Sequence, residues 1–315
     1  MGSPEFALPS LQALVAAGYA VAGVFTQPDR MAGRGRRLRA PPVKRYAESA
    51  RLPVFQPPSL RRPEAVAELR DLAPDLIVIA AYGQILRPSV LAIPSRGTLN
   101  VHASLLPRYR GASPVAAAIL DGVPETGVSI MLVDEGLDTG PVLAERAIAI
   151  KPEDTAGTLS ARLAGLGAEL LIDVLPRWLR GAIAASKQDD SMATQTQLVR
   201  KEDGILDWHE PAATLWRRVR AFTPWPGAST SLDGAAVRIL QAWPIDGGTG
   251  EAPGRIVRFR ERLDLPEALP RPAFAVQTGA GLLLPLILQK AGKRALAAAD
   301  FLNGERGLIE RRFAD

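Results

Sequence analysis

Three observations predict an open, mostly parallel α/β sheet followed by a small β-barrel. Helix-period and strand-like segments alternate through the first half of the 315 residues. A polar, Gln- and Thr-rich stretch near 184–196 has the composition of a linker. Beyond it the texture changes to short strand-like runs broken by Gly and Pro. The length suits two domains. We expect an α/β domain over 1–181, a linker over 182–198 and a barrel over 199–315.

The elements follow in order. Residues 6–18 place apolar residues at helical spacing and stop at Gly18. The β-branched and aromatic run 19–27 reads as a strand. A basic loop follows, then a helix over 42–52, a short strand in "PVFQP" and a helix over 62–72. The continuous apolar run 74–83 suits a strand buried on both faces. A short helix in "RPSVLAI" leads to a strand over 97–104 and a helix over 112–122. Residues 126–150 read as paired strands around a Gly-rich turn, and 155–181 as a long helix. In the last third, "VRIL", "GRIVRF", "AFAVQTG" and "GLLLPLILQ" are the barrel strands.

Composition narrows the function classes. A hydrophobic content of 47% supplies a core and excludes a mainly disordered chain. There is no apolar run of membrane-spanning length and no charged segment leading into an apolar secretory core. Cysteine is absent, which removes disulfides, thiolate nucleophiles and cysteine metal sites. A soluble cytoplasmic protein fits best. The net charge of +5 is mild, but residues 30–45 carry Arg30, Arg34, Arg36, Arg37, Arg39, Lys44 and Arg45 with no acid among them. Such a block reads either as a phosphate-facing loop or as a solvated surface.

The sequence contains only two histidines. One stands in "NVHASLLPRYRGASP", near the end of a predicted strand, where open α/β sheets bind ligands. Asn100 and His102 are two apart, so their side chains share a face. Asp138, in "GLDTG", lies in a loop able to fold back over that strand end. An amide donor, an imidazole and a carboxylate together suit a reaction that builds charge on a carbonyl oxygen and moves a proton. The alternative is a satisfied core histidine beside a turn asparagine. No Ser-centred nucleophile elbow occurs, and His209 in "LDWHEP" reads as structural or surface. Two distant histidines without cysteine argue against a transition-metal site, so no metal is expected.

"NVHASLLPRYRGASP", followed by "ETGVSIMLVDEGLDTGPVL", resembles the signature of the formyltransferases that use 10-formyltetrahydrofolate. "GVFTQPDRMAGRGRRL" and "RAFTPWPGA" are similar to the branch that acts on initiator Met-tRNA, and the resemblance covers essentially the whole chain. It implies a Rossmann-like domain with an OB-like C-terminal barrel, with Asn100, His102 and Asp138 as the catalytic trio. It further implies folate contacts from Ser104, Leu105, Leu106 and Pro107. The loops holding Tyr82, Gly83, Ile85 and Leu86, and Val133, Asp134 and Glu135, would wrap the pterin. Arg34, Arg36, Arg37, Arg39 and Lys44 would meet the tRNA acceptor end, with further cations from Arg217, Arg218 and Arg220, or Lys290, Lys293 and Arg294. The partners implied are folate and initiator Met-tRNA, with no membrane and a monomeric chain.

Two departures from the family pattern stand out. The resemblance implies a strand of about five or six residues ahead of Gly2, usually central in doubly wound sheets; either the natural start lies further upstream or "MGSPEF" is a cloning remnant, and the unbroken resemblance from Gly2 to Ser10 favours the first. The other departure is "PVAAAIL", where relatives often carry Gln and a larger residue at Ala116 and Ala117. Three other readings compete: transfer to an amino sugar nucleotide, hydrolysis of the same folate, and a non-catalytic RNA-binding module.

Overall fold

The computed structural model describes residues 1–32, 37–261, 263, 265–267 and 269–314. Arg34 and Arg36 lie outside the described residues. The chain divides into two compact units. One comprises Met1–Pro114, Glu125–Ala149 and Ser160–Thr196, the other Val115–Pro124, Ile150–Leu159 and Gln197–Asp315.

The first unit opens with helix α1 (Leu8–Ala16) and strand β1 (Val24–Phe25). Next come the hairpin β2 (Arg30–Ala32) and β3 (Arg37–Arg39), helix α2 (Pro42–Ser49), β4 (Val54–Phe55), α3 (Pro63–Asp71), β5 (Ile77–Ile79) and α4 (Pro88–Leu91). Proline stands in the first turn of each of these four helices, where its missing N–H breaks no intrahelical bond. The unit continues with β6 (Thr98–His102), β7 (Arg110–Gly111) and, after helix α5 (Pro114–Asp121), which falls almost wholly in the second unit, the strands β8 (Glu125–Leu132) and β9 (Val142–Ala149). Helix α6 (Ala156–Leu179) and β10 (Gln195–Thr196) complete it.

The sheet is mixed, where the sequence suggested a mostly parallel one. Its order is β5-β6-β8-β9, and only β5 and β6 run parallel. The connection from β6 to β8 starts and finishes at the same end of the sheet, and the β8–β9 loop is too short for a crossover. Strands β1 and β4 form a separate parallel pair, with Phe25 stacked on Phe55 at 4.8 Å. Around them lies a core of Leu60, Leu69, Ile77, Ile79, Tyr82 and Val90. Against the sheet, α6 comes so close that a Cβ on Gly167 would stand 2.6 Å from Val101.

Two expected strands are much shorter than their apolar runs. Residues 19–27 pair as a strand only at Val24–Phe25, and 74–83 only at Ile77–Ile79. Between them sits the chain start. Gly2 N donates to Phe25 O at 3.0 Å, Ala80 N donates to Met1 O at 3.0 Å, and the Met1 ammonium donates to Val78 O at 2.6 Å. The remaining space is a cavity of about 420 Å³, lined by Leu11, Val21, Val24, Leu69, Ile77 and Val78 among others. An apolar run with no strand to pair with does not register as sheet.

The polar stretch near 184–196 is folded into the first unit. Ser186 and Val142 exchange both backbone hydrogen bonds at 2.8 Å, and β10 runs parallel to β7. Gln188 is buried. Composition misled here because a few of its polar groups, Gln188 and Thr194 above all, bond residues 109–110 and 138–140.

In the second unit, α7 (Ala212–Ala221) precedes a seven-stranded antiparallel sheet. Its strands are β11 (Ala228–Leu232), β12 (Ala235–Ile245), β13 (Ile256–Arg258), β14 (Phe274–Gln277), β15 (Leu282–Lys290), β16 (Leu296–Ala297) and, after helix α8 (Ala298–Gly304), β17 (Phe313–Ala314). The sheet curls: Ile256 N donates to Arg311 O and Phe313 N to Gly254 O, both at 2.9 Å. Trp208, Leu215, Val219, Phe274, Phe301 and Phe313 fill its core. The Trp208 ring stacks on Phe313, and its Nε1 donates to Thr230 Oγ1 at 2.9 Å.

Candidate active site

Strand β6 sets the geometry. Its pattern of two buried residues, Asn100, then two more buried residues places Asn100 and His102 on one face near the strand's carboxyl end. The parallel partner puts Ile79 opposite Asn100, so the loop 80–87 leaves the sheet beside the same end. Asp138 arrives from the β8–β9 turn. Its φ of 54° is left-handed, a conformation that aspartate tolerates better than most residues. Two residues on, a Cβ at Gly140 would fall 2.0 Å from Leu132 O, so only glycine lets the turn close this tightly.

The trio meets. His102 Nε2 lies 3.0 Å from Tyr109 O; a carbonyl only accepts, so Nε2 carries the proton. That leaves Nδ1 facing Asp138 Oδ2 at 3.6 Å. The same Oδ2 accepts from Gly111 N at 2.8 Å, and Oδ1 accepts from Asn100 Nδ2 at 3.4 Å. His102 is 6% exposed, yet its ring is not a core histidine satisfied at both nitrogens: one edge looks at a carboxylate beyond hydrogen-bond range. The arrangement gathers an amide donor, a ring nitrogen and a carboxylate at one strand end.

Behind Asp138 stands a group that sequence reasoning missed. Gln188 Nε2 donates to Asp138 O at 2.9 Å and to Gly140 O at 2.7 Å. Its Oε1 accepts from Arg110 Nε at 3.1 Å and Nη2 at 2.8 Å, and Arg110 Nη2 also donates to Asp190 Oδ1 at 2.7 Å. One signal pointed there: an arginine inside the histidine motif needs an acceptor if buried, and the polar stretch supplies several.

The remaining expected residues are placed as follows. Ser104 is fully buried, its hydroxyl donating to Arg108 O at 2.6 Å. Leu106 N donates to Ser129 Oγ at 3.0 Å. Leu106 and Leu86 are buried, and Leu105 packs beside Gly127. Pro107 accepts at its carbonyl from Thr194 N. Tyr82 is buried, and burial pushes its hydroxyl pKa up to about 12, while its carbonyl accepts from Gln27 Nε2 at 3.1 Å. Gly83 takes a left-handed turn, and Ile85 is 71% exposed on the loop that leaves beside Asn100. Val133 N pairs with Thr98 O; Asp134 Oδ1 accepts from Gly136 N and Thr139 Oγ1; Glu135 is exposed. These loops offer backbone groups and exposed apolar side chains, Ile85 and Leu137, which fits a flat heteroaromatic ligand.

Around the basic block, the expected loop contains a strand pair in which Arg30 pairs with Arg39 and Met31 with Leu38. Arg30 and Arg39 are exposed; of Arg37 only the backbone, in β3, is described. Lys44 is committed elsewhere. Its ammonium sits 2.9 Å from Asp29 Oδ2 and 2.7 Å from Gln56 Oε1. Hydrogen bonds from Gln56 and Lys44 hold the Asp29 carboxyl below its ordinary pKa. Nor do the α7 arginines form one patch, because helical spacing points them apart. Arg220 is buried with its guanidinium 4.4 Å over Trp216, Arg218 donates to Asp203 O and Ile205 O, and Arg217 reaches Asp121 O. Lys290 pairs with Glu305, while Lys293 and Arg294 are exposed. His209 pairs with Asp207 at 2.9 Å on the surface. Among the described residues there is no cluster of ligands able to hold a metal and no helix long and apolar enough to cross a membrane.

An α/β sheet that presents an amide, an imidazole and a carboxylate at one strand end, with no serine or cysteine nucleophile in the set, suits an enzyme in which an outside nucleophile attacks a carbonyl carbon. Comparison with known proteins specifies the group. Residues 2–175 match the formyl transferase family and residues 198–306 the formyl transferase C-terminal domain. The chain belongs to the formyl transferase family. It is 46% identical over 302 residues to the methionyl-tRNA formyltransferase of Methylococcus capsulatus, covering 96% of this chain and 94% of that one. The Roseiflexus sp. methionyl-tRNA formyltransferase is 49% identical over 308 residues, covering 97% and 91%. In fold the chain is similar to the Helicobacter canadensis N-formyltransferase solved with folinic acid and dTDP-3-aminofucose (TM-score 0.61, 18% identity, 92% of this chain and 97% of that chain). HypX from Aquifex aeolicus in complex with tetrahydrofolic acid has a TM-score of 0.60 at 20% identity, covering 91% of this chain and 48% of that one.

Proposed function

We propose that this protein transfers the formyl group of 10-formyltetrahydrofolate to the amino group of methionine on initiator Met-tRNA. The observation that carries the reading is that relatives 46–49% identical over nearly the whole chain, both units included, are methionyl-tRNA formyltransferases. The chemistry agrees with the trio. The methionyl nitrogen attacks the formyl carbon, a new C–N bond forms, the bond to folate N10 breaks, and the proton lost by the amine ends on N10. Charge gathers on the formyl oxygen on the way. Asn100 Nδ2 and, once Nδ1 carries a proton, the His102 ring supply the donors for that oxyanion, and Asp138 receives and returns the amine proton.

The loops 81–88, 104–107 and 133–140 hold the folate, mainly through backbone groups and the exposed side chains of Ile85 and Leu137. Arg34, Arg36, Arg37 and Arg39 meet phosphates at the tRNA acceptor end, and exposed Arg30 joins them. The curled sheet of the second unit acts as an OB-like nucleic-acid platform, with exposed Lys293 and Arg294 as its cations. In this reading the protein is a cytoplasmic monomer; one chain supplies the whole trio, so no second copy is needed to complete it.

Incubation with labelled formyl-tetrahydrofolate and either Met-tRNA, an amino sugar nucleotide or buffer tests this reading. Formyl-methionyl-tRNA is the expected product. Label on the sugar, or release of formate in buffer alone at the same rate, would overturn it.

A further inference from the structure

We propose that Gln188 is a positioning residue of this site: locked by the Arg110 guanidinium, its carboxamide fixes the Asp138 turn from behind and keeps the carboxylate against His102 and Asn100. The inference rests on the formyl-transfer reading for its kinetic consequence, and on geometry alone for its structural one.

Four hydrogen bonds define the part. The two N–H groups of Gln188 go to the carbonyls of Asp138 and Gly140, on either side of Thr139, and its oxygen takes two donors from Arg110. All carboxamide valences facing the turn are used, and both side chains are buried, Arg110 at 5% and Gln188 at 7% exposure. A buried amide with a complete set of partners tolerates one orientation only. Asp138 needs such a brace because its carboxylate must meet Gly111 N, Asn100 and His102 at once, which one placement of the turn allows.

The brace also joins the two loops that carry the trio. Arg110 lies next to Tyr109, whose carbonyl sets the His102 ring, and next to Gly111, whose amide holds Asp138. The segment around Gln188 grips the same loop again: Tyr109 N donates to Thr194 Oγ1 at 2.8 Å and Arg110 N to Thr194 O at 2.9 Å. On its other side, Ser186 pairs with Val142 just beyond the Asp138 turn. Residues 186–196 thus form a strap across the back of the site, and Gln188 is where the strap touches both loops. Displacement of a reacting group by about 1 Å costs on the order of 100-fold in rate, so a brace of this kind is kinetically visible.

The test combines Gln188→Met with Asp138→Asn. Methionine keeps the length and removes every hydrogen bond. Below the variant's melting temperature, Gln188→Met should lower kcat by about 10- to 100-fold with KM for folate and tRNA within about threefold of wild type. In the Asp138→Asn background the same change should alter kcat by less than about twofold, because the carboxylate it positions is gone. An equal loss in both backgrounds, or a loss confined to KM, overturns the proposal. Asp190→Ala serves where the methionine variant does not fold, since Asp190 is 71% exposed and steadies Arg110 from outside. Its expected loss is about threefold in kcat, again absent with Asp138→Asn; an undiminished loss there overturns the proposal. Amide exchange over residues 136–140 needs no substrate and separates the two readings. Faster exchange in either folded variant supports the brace even if wild type forms no formyl-methionyl-tRNA, and unchanged exchange in a folded Gln188→Met protein overturns it.

Discussion

His102 turns its two ring nitrogens to different tasks: Nε2 is held by the Tyr109 carbonyl at 3.0 Å, and Nδ1 faces Asp138 Oδ2 at 3.6 Å. The first contact fixes the ring and the second leaves a place for a proton. Replacing His102 by Ala should therefore lower turnover by roughly 100-fold or more, with folate affinity nearly unchanged. Asp138→Asn should be comparably slow. Its amide oxygen still accepts from Gly111 N, so the turn stays folded while the charge is lost. Steady-state kinetics with circular dichroism melts checks both; near-normal turnover in either variant would remove the trio from the mechanism.

The cations of the basic block separate into two kinds, and they should respond differently. Ala at Arg34, Arg36 and Arg37 together should weaken tRNA binding and reduce its salt slope by about one for each phosphate that is no longer neutralised. Lys44→Ala should leave that slope unchanged, because its ammonium is engaged by Asp29 and Gln56. Binding isotherms across a salt series distinguish the two outcomes. A lower slope for Lys44→Ala would show that tRNA pulls this lysine out of its ion pair.

How legible was this in the sequence? The β6 face was readable because a two-residue period in a buried strand leaves no choice about Asn100 and His102. Asp138 was reachable through a Gly-rich turn that had to fold back. Sheet direction was not readable, since periodicity reports which residues are buried and says nothing of strand polarity. Gln188 was hidden for a different reason. A polar run looks like a linker unless one knows that Arg110, 78 residues earlier, is buried and needs acceptors. The arginines of α7 show the same limit: Arg220 was counted among surface cations, yet it is a core group.

Arg220 carries its own prediction. Its Nε donates to Asp154 O and its Nη2 to Lys151 O, each at 2.7 Å, with the guanidinium plane over Trp216. Burial is the main influence on its pKa and lowers it, without approaching neutrality at working pH. Methionine there would leave both carbonyls without this donor, and charged hydrogen bonds of this kind are worth about 1.5–3 kcal/mol each. Arg220→Met should thus destabilise the second unit by about 3–6 kcal/mol, read from urea unfolding followed by tryptophan fluorescence. A loss below about 0.5 kcal/mol would mean that water replaces the guanidinium at no cost.

The chain start gives the last prediction. The Met1 ammonium donates to Val78 O at 2.6 Å, and its burial pushes the pKa down from 8.0 to about 5. Between those values the unfolded chain binds a proton that the folded chain does not, so stability rises with pH from about 5 to 8 and is lost on acidification. The slope is at most about 1.4 kcal/mol per pH unit for one group. Next to this amine lies the apolar cavity of about 420 Å³ between the runs 19–25 and 74–80. Five or six apolar residues added ahead of Met1 would carry the amine out of this site, bring backbone partners to the two runs and fill the space. Each Val, Ile or Leu side chain fully buried there contributes about 1.5–3 kcal/mol. The extended protein should melt at a higher temperature and lose the amine's part of the pH dependence. Equal melting temperatures for the two forms across about pH 5–8 would show that neither the buried amine nor the cavity weakens this sheet.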